Sequence, residues 1–209
     1  MAQKLKSSPI KELFYEARAE LSKDALAIQL KDEKAVDLPI VCLLCRITTH
    51  LRAIEVLYEH ELAIEADTIL RSCLESLFWM GALANVPDTV EKMVSEFEYQ
   101  RYSMRNRILS ADPSSMKLDD ETSKKIELAQ AENTPSKKDL ISIFQAAQRA
   151  NLEALYVTYA SLSNASAHPS VHSLNRHVAL KEDGSISYFT VIVTDPDWDA
   201  TFHLEQISI

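Results

Sequence analysis

Apolar side chains recur three and four residues apart over most of the chain, and that spacing predicts a stack of helices. Ile10, Leu13, Phe14, Ala17, Leu21, Ala25 and Ile28 mark the first helix, opened by Ser8-Pro9 and running to about Leu30. The charged stretch 31–37 reads as a connection. Pro39 then opens a second helix carrying Ile40, Leu43, Leu44, Ile47, Leu51, Ile54 and Leu57. No glycine or proline separates it from the third, Ala66 to Leu83, yet one rod from Pro39 to Ala84 would be about 69 Å long at 1.5 Å per residue. A break is therefore expected near Tyr58 to Leu62.

Asn85, Pro87 and Asp88 punctuate the end of the third helix and the start of a fourth, in which Val90, Met93, Val94, Phe97, Arg101, Met104 and Ile108 keep the helical period. Residues 111–120 read as a loop, and 121–131 as a short, weakly amphipathic polar helix. Pro135-Ser136 with Asp139 suggests a capped start for one last long helix ending near Ser163, with Leu140, Ile143, Phe144, Ala147, Leu152, Leu155, Tyr159 and Leu162 on its apolar side. Beyond Asn175 the period shortens. His177 to Leu180, an Asp183-Gly184 turn of the primed type, and Ile186 to Val193 read as a β-hairpin. The expectation is one mainly α-helical domain, 1–209. A bundle of about six helices fills 1–163, and a His-rich turn with a small C-terminal β-hairpin follows in 164–209.

The third helix carries two faces. Ala66, Ile69, Leu70, Cys73, Leu74, Leu77 and Met80 form one apolar arc, while Arg71, Glu75, Phe78, Trp79 and Ala82 lie opposite. Large aromatics beside a charged pair are unusual on a solvent face, so the helix should be covered on both sides. Arg71 and Glu75 would then be partly enclosed, where charges require partners. The ordinary alternative is a surface i,i+4 ion pair worth a few tenths of a kcal/mol.

Composition narrows the chemistry. The chain has 209 residues, only two glycines, Gly81 and Gly184, and a formal charge of −9. Phosphate-cradling Gly-rich loops of the Walker or Rossmann kind are excluded, no cofactor is expected, and broad nucleic-acid binding is disfavoured. A local basic patch could still meet RNA, and Arg101, Arg105 and Arg107 could face a phosphate backbone, although the favoured reading is that arginines at a helix end simply complement its dipole. No apolar run is long enough to span a bilayer, so no membrane association and a cytoplasmic location are expected. Cys42, Cys45 and Cys73 make an odd count in apolar helical patterns and read as reduced core thiols. Cys42-x-x-Cys45 with His50 lacks a second ligand pair at zinc-site spacing, so no metal site is assigned.

The densest run of titratable groups is His168, His172, Arg176 and His177, close after Ser163. Histidine can transfer protons near neutral pH and arginine can hold an anion. The same rings can equally cap a helix and pack under the hairpin.

Taken together, Arg71-x-x-x-Glu75, then Tyr156-x-x-Tyr159-x-x-Leu162-Ser163 leading into His168-Pro169-Ser170 and Ser173-Leu174-x-Arg176, resemble the mainly bacterial helical proteins of domain-of-unknown-function family 5677 over about Pro39 to Val178. That resemblance implies an α-helical bundle with an Arg-Glu helix against a Ser-His turn, and Arg71, Glu75, Ser163 and His168 as the positions to test. More distantly the chain is similar to the HEPN helical domains, many of which are dimeric metal-independent ribonucleases of toxin or phage-defence systems. Those carry Arg and His separated by four to six residues. Here Arg46 and His50 are separated by three, and Arg71 has no nearby His, so a nuclease site would have to assemble Arg71 and His168 from separate elements.

Two functions follow as expectations. The first is a protein-interaction or regulatory module with a buried Arg-Glu/Ser-His polar cluster and an unknown protein partner. The second is a ribonuclease in which Arg71, Glu75 and His168 do the chemistry, with Ser163, Tyr159, His172 and Arg176 binding the ligand. The apolar second face of the central region also points to a homodimer, since dimers bury additional helix faces.

Overall fold

The structure is a computed structural model that describes residues 9–28, 37–111, 119–132, 140–167 and 178–189. It is mainly helical. In chain order the helices are α1 (Pro9–Ala27), α2 (Asp37–Glu59), α3 (Ala63–Asn85), α4 (Thr89–Ser110), α5 (Asp120–Glu132), α6 (Ile143–Ala150) and α7 (Glu153–Leu162), the last continuing into a π turn, Ser163–Ala167. A two-stranded antiparallel hairpin, β1 (Val178–Leu180) and β2 (Ile186–Phe189), follows.

The break between α2 and α3 falls at His60 to Leu62, inside the expected window, with Glu61 in the left-handed region at φ 59°. The two helices then fold back against each other, and α3 becomes the centre of the bundle. Ala66, Asp67, Cys73, Leu74, Ser76, Phe78, Trp79, Ala82 and Leu83 are all buried, which requires cover from both sides. On one side lies α2; on the other lie α6, α7 and the π turn. Phe78, Leu74 and Trp79 meet Ala146, Ala147, Tyr159 and Leu162 there to form the main apolar cluster.

Among the described residues seven α-helices stand where about six were expected, because the last long helix is two. Asn151 adopts the left-handed conformation at φ 58° and ends α6, its N–H returning to the carbonyls of Ala147 and Gln148. Asparagine tolerates that conformation best among residues with a side chain. The helix start also moves. Ser142 accepts from the Gln145 N–H at 3.2 Å, and the Gln145 side chain accepts from the Ser142 N–H at 2.7 Å, a complete capping box. The Pro135-Ser136-Asp139 start lies outside the described residues.

Two further expectations are corrected. Cys42 and Cys45 are exposed, and only Cys73 is a core thiol, because α3 covers a different face of α2. The hairpin does not turn through a primed Asp-Gly pair. Gly184 alone has positive φ, 80°, and its N–H bonds the Lys181 carbonyl at 2.9 Å, so the reversal runs through a three-residue loop with the glycine last. Asp183 reinforces it, its carboxylate accepting from the Ser185 N–H and Oγ. Those two hydrogen bonds, the side-chain one first, hold Asp183 below the usual carboxylate range.

The α3/α6 crossing is close enough to depend on a glycine. A Cβ added at Gly81 would lie 2.7 Å from Ala150 Cβ, a methyl carried directly on the α6 backbone. Ala150 cannot step aside unless α6 moves with it. Gly81→Ala is therefore expected to destabilise by about 1–2 kcal/mol in urea unfolding, the overpacking penalty exceeding the roughly 1 kcal/mol of helix propensity that alanine adds. A stabilised variant would show that the crossing can relax.

Candidate functional site

Arg71 projects from the middle of α3 toward the junction of α7 and the π turn. Its Nε donates to Ser163 Oγ at 2.8 Å and one terminal nitrogen donates to the Tyr159 hydroxyl at 2.8 Å. The other terminal nitrogen faces the Glu75 carboxylate at 3.5 Å. The guanidinium also sits over the Tyr159 ring, 4.8 Å from its centroid. Side-chain exposures of 22% for Arg71 and 37% for Glu75 place the pair at the edge of the core, which is neither an open surface pair nor a dry one.

The local chain explains the convergence. Tyr159 and Ser163 are four apart, so they share one helical face, and Ser163 Oγ donates to the Tyr159 carbonyl at 2.8 Å. Widening into a π turn at Ser163 lets the chain continue along α3 beyond the end of α7. Tyr159 is fixed in turn by an aromatic series. Its ring stacks on Tyr156 at 5.5 Å and meets Phe78 edge-on at 5.9 Å, while Phe144 meets Tyr156 at 4.9 Å.

Burial first, and the Glu75 carboxylate second, hold the Tyr159 phenol above its ordinary range, against the opposing pull of the Arg71 guanidinium and the Ser163 hydroxyl. Tyr159 is thus a neutral phenol at physiological pH that accepts from Arg71. Ser163 is engaged as both donor and acceptor, so its oxygen is not set up as a free nucleophile.

Four of the seven sequence-derived positions, Arg71, Glu75, Tyr159 and Ser163, come together. His168, His172 and Arg176 lie outside the described residues, as does His177. Among the described residues no three His, Cys, Asp or Glu side chains are grouped to hold an ion. His50 lies partly buried with its Nδ1 unpartnered, and burial, then the nearby Arg46 cation, hold it below the usual histidine range.

A second polar cluster escaped the sequence reading. Arg149, near the end of α6, binds Asp88 at 2.5 Å and donates to Thr89 Oγ1 at 3.1 Å, and the fully buried Thr89 hydroxyl donates to the Ala82 carbonyl at 3.1 Å. Asn85 Nδ2 donates to the Arg149 carbonyl at 3.2 Å. Its role is to fasten the α3–α4 corner to α6. The sequence signal was only that polar residues gather at a helix boundary.

Alkaline sensitivity is built into the core. Burial pushes the Cys73 thiol from 9.0 up to about 11, and Tyr159 is shifted in the same direction. For such groups the unfolded chain loses its protons first. Their contribution to stability is complete below about pH 9 and declines as pH rises toward about 11. Melting temperature is expected to fall between about pH 9 and about pH 11, and less steeply in Cys73→Ala; equal slopes would refute the assignment to Cys73.

Among the described residues no helix is long and apolar enough to cross a membrane. No curated protein and no solved structure matches the chain. The family described as "Family of unknown function (DUF5677)" matches residues 37–186. That span runs from the first residue of α2 to the first residue of β2 and holds both halves of the Arg71 cluster. By that match, which covers well over half of its length, the chain belongs to the DUF5677 family.

Proposed function

We propose that the protein is a non-catalytic interaction module of a regulatory kind, working in the cytoplasm, in which Arg71, Glu75, Tyr159 and Ser163 set how α7 and the π turn seat on α3. The observation that carries this reading is that each guanidinium nitrogen of Arg71 faces a group of the protein itself. A ligand-holding arginine keeps donors free for the ligand. Here three of the five N–H donors are directed at Ser163, Tyr159 and Glu75, so the cluster acts as a register device that fixes one arrangement of α3, α7 and the π turn.

One observation favours a second reading. The π turn begins at Ser163, against Arg71, and leads straight into His168-Pro169, and π segments are frequent at functional sites. In that alternative the protein is a metal-independent HEPN-like ribonuclease of a toxin or phage-defence type. Arg71 holds the phosphate, Glu75 orients it, His168 transfers the proton, and Tyr159, Ser163, His172 and Arg176 position the RNA. The exposed Arg101 and Arg107 on α4 would supply its basic patch.

The deciding experiment is RNA cleavage by purified protein in chelator, run beside unfolding of Arg71→Ala. The interaction module predicts no cleavage and a clear loss of stability. Cleavage by the wild type that disappears in folded Arg71→Ala and His168→Ala would overturn it.

A further inference from the structure

Among the described residues, the contacts that hold helix α4 lie at its start and along its second half. Thr89 is buried at its start, Met93 touches the main cluster, and α5 lies along its second half through Arg105 Nε to Gln130 Oε1 at 3.2 Å. The remaining face is apolar and open. Val94, Phe97 and Met104 are 55%, 57% and 57% exposed, and with Arg101 between Phe97 and Met104 their spacing is three, four, three. That is the a/d spacing of a coiled-coil seam over three turns, with Arg101 at one of its positions.

Charge along the same helix is polarised. Its first half, 89–99, holds Glu91, Glu96 and Glu98 against one lysine, and its second half holds Arg101, Arg105 and Arg107 with no acid. On one flank of the seam stand Glu91, Glu98 and Arg105. A second α4 lying parallel would set acids against acids and arginines against arginines. Lying antiparallel, it sets each half against its opposite.

We infer that α4 is the surface on which a second copy of this chain docks, the two α4 helices crossing antiparallel about a two-fold axis near Tyr99. This rests on the reading of the protein as an interaction module and names one partner. Val94 of one copy packs beside Met104 of the other, Phe97 packs beside the aliphatic stem of Arg101, Glu91 lies opposite Arg105, and the two Glu98 carboxylates meet at the axis, each beside an Arg101. The two-fold makes every contact occur twice, as a closed dimer requires. Arg101, which now lies 5.4 Å over its own Phe97 ring and 3.5 Å from Glu98, is held at the centre of the pair with both partners at hand.

Light scattering at micromolar concentration should give twice the monomer mass. The double variant Phe97→Glu/Met104→Glu should give the monomer mass with unchanged helical circular dichroism. A wild-type monomer overturns the proposal, and so does a variant that stays dimeric. Orientation is read by disulfide trapping in a Cys42→Ser/Cys45→Ser background, mixing Val94→Cys protein with Met104→Cys protein. The mixed 94–104 dimer should dominate; predominance of 94–94 and 104–104 products overturns the antiparallel arrangement. A monomer would leave the role of Arg71 standing, because that is read from the stability of Arg71→Ala.

Discussion

Phe78→Ala is expected to lower the unfolding free energy by about 3–5 kcal/mol, the range for emptying a buried aromatic site. Phe78 has no exposed surface and stands where α3 meets α6 and α7. Its neighbours cannot collapse to fill the space. Ala146 and Ala147 are short and belong to the α6 backbone wall, and Leu162 is itself fully buried. Removing the ring also takes away the edge that fixes Tyr159, so damage should reach the Arg71 cluster. Urea unfolding followed by circular dichroism gives the magnitude. A loss under about 1 kcal/mol would mean that the cluster is looser than its burial implies.

Arg71→Ala is expected to cost about 2–3 kcal/mol, from two charge-assisted hydrogen bonds discounted for partial exposure. The loss has identifiable owners. Ser163 Oγ still donates to the Tyr159 carbonyl, so it loses a donor partner without being orphaned outright. The buried Tyr159 hydroxyl loses its donor, and its ring loses the cation above it. Glu75 is exposed enough to be rehydrated. Arg71→Lys keeps the charge but lacks the planar fork that reaches Ser163 and Tyr159 together, so it should recover only part of the loss. A fully stable Arg71→Ala would transfer the residue from the fold to a ligand, which is the ribonuclease reading.

The Arg71 cluster was legible in the sequence because a charged pair on a helix face that also carries Phe78 and Trp79 must be covered, and cover demands partners. Tyr159 and Ser163, one turn apart on a later helix, came in through the family resemblance, since periodicity alone placed Tyr159 on an apolar side. The α2–α3 break was legible from length alone. Asn151 hid the second break, since it interrupts a continuous apolar period without glycine or proline. Cys42 and Cys45 were misplaced because periodicity tells that a face is apolar but not which neighbour reaches it. The clasp of Arg149 on Asp88 and Thr89 left only a gathering of polar residues at a helix boundary as its sign, for it joins residues far apart in the chain.

The closeness of α3 and α6 at Gly81 has a consequence for the order of folding. Eight residues are too few for a helix to persist alone in water. Helix α6 must therefore acquire its structure as it lands on α3, after the chain between them has closed its long loop. The α2–α3 hairpin, built from local contacts, has no such wait. Contacts made by Ala147 and Ala150 should accordingly be absent from the folding transition state, and mutations there should hasten unfolding far more than they slow folding.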